Sequence, residues 1–401
     1  MADFNFKKWN LILGWLAFLI AFITYSFTVE PTVSFWDAGE YILTSSKLQV
    51  GHPPGAPFFQ MMGAFFSIFA SEPSQIGLMI NMMSATASAF TILFMFWSIV
   101  LLIKQVVKNN NKSSKGQNTA ILGAAFVGSL SFAFTDSFWF NAVETEVYAM
   151  ATLIMAVLFY LGLRWGNDMF TPRGNKWLIL ISFVVGLSFG VHFMGLLTIP
   201  AISLIYFFKN YKTVTVKNFV LANLAGIAVL LFVFKLLAPN ILRYFSALEI
   251  FFVNSVGLPF NSGSIVAFIL LVGFIFWGLN YTRKKGYIHL NTGLLCITFI
   301  VIGFSSWLML PIRANANVTV NENNPSSARE LLAYYNLEQY PKTHLFYGPQ
   351  FTDQYAGLDE NQPYIDDKPK YEKDETSVLI SLSTITKMVC KTTIQNMPPY
   401  C

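Results

Sequence analysis

The sequence predicts an all-α integral membrane protein, a polytopic helical bundle of about nine spans. Hydrophobic residues make up 54% of the 401 residues and charged residues only 12%, far from the balance of soluble domains. Uncharged runs long enough to cross about 30 Å of hydrocarbon recur along the chain. Lipid offers backbone polar groups no partners, so such runs must be helices.

Spans are expected near 11–28, 76–103, 119–135, 147–163, 177–191, 195–208, 218–234, 264–282 and 290–312. The fifth and sixth are short enough to form a hairpin that does not fully cross. The opening MADFNFKKWN leads into an apolar run without a small-residue cleavage site, so the first span is read as a retained anchor. Basic residues cluster in alternate loops: Lys7 and Lys8; Lys104, Lys108, Lys112 and Lys115; Arg164, Arg173 and Lys176; Lys209, Lys212 and Lys217; Arg283, Lys284 and Lys285. Those loops are expected on the cytoplasmic side, together with the N-terminus. The opposite loops before the tail hold few bases, Lys47 and Arg243 with Lys235 at the edge of a span, against Asp37, Glu40, Asp136, Glu144, Glu146 and Glu249. Segment 58–70 is also apolar, but a span there would put Lys104 to Lys115 outside. It is expected as a helix lying on the outer membrane surface.

Two regions follow from composition: a membrane region 1–312, with a first outer loop 29–75, and a polar outer tail 313–401 rich in Asn, Tyr and Pro. Within the tail, ARELLAYYNLEQY reads as a short helix capped by Ser326 or Ser327, and Pro341, Gly348 and Pro349 break regular structure. The last stretch, TSVLISLSTITKMVCKTTIQNMPPYC, is too short and too polar to span. The net charge of +5 is spread over topology loops and says nothing of nucleic acid; no basic patch with interleaved aromatics appears, and no nucleic-acid partner is expected. Cys296 falls in a span and Cys390 and Cys401 in the tail, a pattern that indicates neither a disulfide framework nor a metal site.

The first outer loop, PTVSFWDAGEYILTSSKLQVGHPPGAP, carries the chemistry. Ionisable groups kept at a bilayer edge are functional candidates by default. Asp37 and Glu40, three apart, emerge on one helical face, one as a base and the other positioning it or binding a donor. The same spacing also fits a helix capping box. Trp36 suits an interfacial belt or a sugar-stacking platform. His52 sits in Gly-His-Pro-Pro-Gly, a rigid turn that would hold it against a phosphate or hydroxyl, or leave it merely interfacial. In TDSFWFNAVETEVYA, Glu144 and Tyr148 are expected on one helical face and Glu146 on another, so that one glutamate faces a cavity and the other water or headgroups. The alternative is a solvated helix start. His192, between Gly190 and Gly195, lines an outer turn or is a satisfied core residue. Arg313, ending the last span, either snorkels to lipid phosphates or holds the phosphate of a lipid-linked donor by paired bonds.

The ordered run FWDAGEYILTSSKLQVGHPPGAPFF, FWFNAVETEVYA, GVHFMGL and LPIRANANVTVNENNP resembles bacterial protein O-mannosyltransferase-like membrane proteins, long catalogued as a domain of unknown function. The resemblance covers the N-terminus to about residue 372. It implies a GT-C glycosyltransferase fold, a polyprenyl-phosphate sugar donor, and a first outer loop that carries an essential acid and lies partly along the membrane. By resemblance, Asp37 matches that acid and Arg313 a donor-phosphate ligand. Such relatives continue well beyond this length, and the stretch after about 376 is unfamiliar, so truncation or a frame shift is expected there.

The expected function is therefore inverting transfer of a sugar, mannose by resemblance, from polyprenyl phosphate to a protein Ser or Thr hydroxyl. The expected place is the outer face of a bacterial inner membrane. Asp37 would be the base, with Glu40, His52, Glu144, Glu146, Tyr148, His192 and Arg313 shaping donor and acceptor sites. The implied partners are the lipid donor, a protein acceptor and membrane lipids. No cofactor is implied and no metal-ligand constellation is legible, though the paired carboxylates leave a divalent cation open. The competing reading is a transporter or lipid flippase, which would place broken helices and polar groups near the midplane and often carry inverted repeats. Here the acids fall in one outer layer and no repeat is evident.

Overall fold

The computed structural model describes residues 4–107 and 114–340, with backbone stretches at 347–349, 364–365, 368–369 and 378–380. Lys108, Lys112, Pro341, Cys390 and Cys401 lie outside the described residues. The chain divides into two compact units, Met1–Leu337 and Glu338–Cys401. The segment from 313 to 337, assigned by composition to the tail, packs within the first unit.

The first unit is helical throughout. It comprises α1 (Phe6–Thr28), α2 (Ala38–Ser46), α3 (Pro57–Ser67), α4 (Ile76–Val106), α5 (Lys115–Ala133), α6 (Asp136–Ala142), α7 (Val147–Asp168) and α8 (Asn175–Ser188). These are followed by α9 (Thr198–Asn210), α10 (Val216–Leu231), α11 (Ala238–Ile250), α12 (Ser262–Lys284), α13 (Ile288–Phe304), α14 (Met309–Ala314) and α15 (Ala328–Tyr335). In the second unit, β1 (Tyr347–Pro349) pairs antiparallel with β4 (Val378–Ile380), and β2 (Tyr364–Ile365) with β3 (Lys368–Pro369). The all-α expectation thus holds for the first unit, and short strands enter after it.

Seven helices among the described residues, rather than nine, are long and apolar enough to cross a membrane: Phe6–Thr28, Pro73–Val106, Val147–Asp168, Phe193–Asn210, Val216–Ser255, Ser262–Lys284 and Ile288–Ala314. The span expected at 119–135 is α5 followed by α6, bent by 70° and counting as an eighth if the pair is one span. The break falls at Thr135, whose hydroxyl donates to the Phe132 carbonyl. The span expected at 177–191 is α8, whose 14 residues reach about 21 Å, short of the hydrocarbon thickness.

Small residues set the packing. Gly14, Ala17, Ala21 and Tyr25 bury one face of α1, which lies on α4 and α5. In α4, Ser84, Ala85, Ala87, Ser88 and Ala89 are buried, letting α1, α5 and α7 approach its backbone, as expected where van der Waals contact drives association. The closest crossing is α8 on α13. A Cβ on Gly186 would stand 2.2 Å from the Ile300 carbonyl oxygen, and one on Gly303 2.4 Å from that of Phe183. Hydroxyls within the spans return to the preceding turn, as Thr86 does to Met82, Thr91 to Ala87 and Thr298 to Leu294, which removes a polar cost in lipid. By contrast, large apolar side chains such as Ile269, Phe276 and Trp277 of α12 stand exposed, as a lipid-facing surface would.

The 30–67 loop closes one end of this bundle, and α3 within it is the helix expected for segment 58–70. The buried side of α3 holds Phe59, Gln60 and Gly63, and its first N–H groups, on Phe58 and Phe59, both donate to the Gly190 carbonyl, at 2.8 and 3.0 Å. Buried Asn81 of α4 donates to the carbonyls of Glu30 and Thr32 and accepts from the Thr145 hydroxyl. One side chain therefore ties the start of the loop to the approach of α7. After α14, the chain runs back alongside the loop. Val50 N–H donates to Val320 O at 3.0 Å, and Glu322 N–H to Val50 O at 3.1 Å. Ser327 and Glu330 form the capping box of α15, and the Tyr334 hydroxyl donates to Gly51 O at 2.6 Å.

Candidate active site

The loop, the start of α7 and the turn after α8 enclose a cavity of about 180 Å³ whose lining includes Asp37, Tyr41, His52, Glu146, Tyr148 and His192. Five of the eight residues expected to form the site therefore meet in one place. Tyr41 joins them unforeseen, although its position four residues after Asp37 puts it on the same helical face.

Asp37 is the N-cap of α2, but its side chain makes no capping bond. The capping box expected as an alternative is not formed, and the carboxylate is left to the cavity. Its backbone N–H instead donates to Glu146 Oε1 at 3.2 Å. Immediately before it, Trp36 adopts a left-handed backbone with φ of 60°, uncommon for a bulky residue. Phe35 and Trp36 stand 80% and 85% exposed beside the cavity.

Glu40 turns away from Asp37 and grips His52 twice. Oε1 accepts the His52 backbone N–H at 2.6 Å, and Oε2 lies 2.9 Å from Nδ1. The hydrogen bond from His52 holds the Glu40 carboxyl below the usual range, and the same contact raises the His52 imidazole against the opposing effect of burial. Gly51 makes this approach possible, because a Cβ there would meet Glu40 Oε1 at 2.6 Å.

The two glutamates before α7 differ from expectation. The helix begins only at Val147, so Glu144 and Tyr148 share no helical face. Glu146 and Tyr148 line the cavity, whereas Glu144 is buried elsewhere rather than turned to water. Burial raises the Glu144 carboxyl, with Ser34 acting the other way. Burial, then the charges of Asp37 and Glu144, push Glu146 up to about 7. His192 accepts the Met194 N–H on Nδ1 at 3.2 Å and packs 5.5 Å from the Tyr148 ring. Burial lowers its pKa, which favours a neutral ring carrying its proton on Nε2.

Arg313, expected as the phosphate contact, does not line the cavity. Its Nε donates to Leu48 O at 2.6 Å and Nη2 to Lys47 O at 3.0 Å. These carbonyls end α2, where Leu48 takes a left-handed φ of 47°. Gln49 N–H returns to Thr44 O and Leu48 N–H to Ser45 O, the two bonds of a Schellman turn. The guanidinium satisfies carbonyls that this turn leaves open. Sequence reasoning also missed Asn81, Thr145 and Tyr334, whose partners are far away in the chain. Among the described residues, no group of three or more His, Cys, Asp or Glu side chains is placed to hold a metal ion.

Residues 37–215 match the family described as the Protein O-mannosyl-transferase TMEM260 N-terminal domain, a segment that contains every residue lining the cavity and excludes Arg313. A Protein O-mannosyl-transferase tmem260 of Dictyostelium discoideum is 25% identical over 254 residues, which cover 59% of this chain and 29% of the relative. The chain thus spans under a third of the length of that relative. No solved structure matches. Both similarities are to protein O-mannosyl-transferases, and both fall on part of the chain.

Proposed function

We propose that the chain is a membrane glycosyltransferase that moves mannose from a polyprenyl phosphate to a Ser or Thr hydroxyl of a protein. In this reading it lies in a bacterial cytoplasmic membrane with its N-terminus inside and the cavity on the outer face, as the alternation of basic loops favours. The observation that carries it is the uncapped Asp37 carboxylate beside Glu146 in a cavity built wholly from the segment that matches the mannosyltransferase family. Asp37 accepts the proton of the acceptor hydroxyl as its oxygen attacks the anomeric carbon. The bond from that carbon to the phosphate oxygen breaks with inversion, and the electron pair leaves with the lipid phosphate, already a good leaving group. Glu146 binds the Asp37 N–H and so fixes where the base stands. Tyr148 and the neutral His192 complete the lining, and exposed Trp36 offers a stacking face to sugar or peptide.

The test is purified protein incubated with a panel of polyprenyl-phosphate sugars and a Ser/Thr-containing peptide, with release of lipid phosphate and labelling of the peptide both measured. Asp37→Asn should bind donor and fail to turn over. Movement of intact lipid across a bilayer without cleavage of its sugar would replace this reading with transport.

A further inference from the structure

We propose that His52, clamped by Glu40, is the cationic contact for the phosphate of the lipid-linked donor, the place in the cavity that Arg313 does not fill. The inference rests on the glycosyl-transfer reading and adds to it the residue that recognises the phosphodiester.

A phosphodiester brings a negative charge into a cavity that already holds the Asp37 and Glu146 carboxyls. An unpaired charge there would be costly. The lining contains neither lysine nor arginine, and its only basic side chains are His52 and His192. His192 is held neutral by its bond from Met194 and by burial. His52 differs in every respect. Both its backbone N–H and its Nδ1 are engaged by the two oxygens of one carboxylate, so the ring is fixed and its basicity raised. Its Nε2 has no hydrogen-bond partner among the described residues and is available to an anion. The groups that act on it are Glu40 and Asp37 of the α2 segment and Glu322 of the returning chain after α14, all acidic. Tyr41 lies 5.9 Å away, ring to ring, and Glu146, Tyr148 and His192 complete the lining. This surrounding favours the imidazolium over the neutral ring. An imidazolium N–H to a phosphate oxygen is a charge-assisted bond, and the carboxylate behind the ring orients it much as carboxylates orient histidines that hold metals.

The experiment is binding of polyprenyl-phosphate mannose to detergent-purified protein between pH 5.5 and 9, with polyprenol as the phosphate-free control. The phosphodiester does not titrate in this range. Wild-type affinity should fall as pH rises through the elevated His52 pKa. Glu40→Gln should move that fall towards the ordinary histidine value of 6.5 while leaving polyprenol binding intact, and that intact binding shows the fold preserved. His52→Gln should bind donor about 10- to 100-fold more weakly at pH 6.5 and lose the His52 part of the pH-dependent limb, keeping only the fall that ionisation of Glu146 at about 7 imposes on an anion. Unchanged affinity and limb in His52→Gln would overturn the proposal. So would loss of wild-type binding on chelation of divalent cations with binding retained by His52→Gln, since a cation would then hold the phosphate. If wild-type protein prefers donor to polyprenol through a His52-dependent limb yet releases no sugar, the phosphate site stands and the transferase reading falls.

Discussion

Glu40, which stands behind His52 on the α2 side of the cavity, and Glu146, which lines it before α7, lie in opposite electrostatic surroundings. On the α2 wall, Glu40 meets a histidine, and each drives the other towards its charged form. On the α7 wall, Glu146 meets Asp37 and burial, which drive it towards its neutral form near pH 7. Carboxyls pushed apart in this way mark a division of labour. One wall provides a fixed ion pair suited to an anion. Where Glu146 of the α7 wall meets Asp37 at the start of α2, two acids suited to proton transfer stand together. The difference arises from backbone placement: Glu40 is reached by a turn that Gly51 allows to come close, whereas Glu146 precedes α7 and is caught between helix ends.

The sharpest way to break this comparison is Asp37→Asn. The variant keeps the shape and the backbone bond to Glu146 but removes the base, so turnover should fall roughly 10²–10⁴-fold. Its melting temperature should barely change, since the carboxylate makes no capping bond to lose. Full activity in Asp37→Asn would move the proton-accepting role elsewhere, with Glu146 next in line.

The two walls should also separate by pH. A carboxyl raised from 4.5 to about 7 in the folded protein retains its proton there while the unfolded chain has lost it, so stability falls as pH rises through that window. The raised histidine gives a contribution that is full below 6.5 and is lost as pH rises through its folded value. Apparent melting temperature in detergent should therefore decline from pH 4.5 upwards. Glu146→Gln should flatten the decline up to about 7 and leave the later part, while His52→Gln should do the reverse. A single variant that flattens both would mean the walls titrate as one unit.

The helical spans and the polar loops were legible in composition and charge, because lipid leaves the backbone so few options. Asp37, His52, Glu146, Tyr148 and His192 were legible as ionisable or aromatic groups in loops expected on one side. The face that each glutamate presents was not. Extending helical periodicity backwards through Glu144 paired it with Tyr148, and the actual helix start at Val147 dissolves that pairing. Nor was the task of Arg313, whose partners are backbone carbonyls at 47 and 48 that carry no side-chain signature. The short α8 reads as a span because its hydropathy continues through Phe189 to Val191, where the chain in fact turns to receive α3.

Arg313 gives the next smaller effect. Arg313→Lys keeps the charge but cannot reproduce two divergent bonds from one planar group. It should lower stability by about 1 kcal/mol and weaken donor binding only as far as the end of α2 loosens. A loss of donor binding as large as that of His52→Gln, at unchanged melting temperature, would return Arg313 to the phosphate and collapse the assignment of that role to the α2 wall.

Leu48→Gly sharpens the same point with the smallest effect. A left-handed residue costs a branched L-amino acid about 1–2 kcal/mol, and glycine removes that cost at the position where helix ends most often employ it. The half-buried leucine side chain and the greater freedom of glycine in the unfolded chain offset part of the gain. Leu48→Gly should therefore raise stability by no more than about 1 kcal/mol, while Leu48→Ala, which retains the strain and loses the packing, should lower it. The decisive observation is a double variant. If Arg313 acts by completing the turn at Lys47 and Leu48, the penalty of Arg313→Lys should shrink in the Leu48→Gly background, where the turn closes without help. An equal penalty in both backgrounds would show that the guanidinium acts on something other than the end of α2.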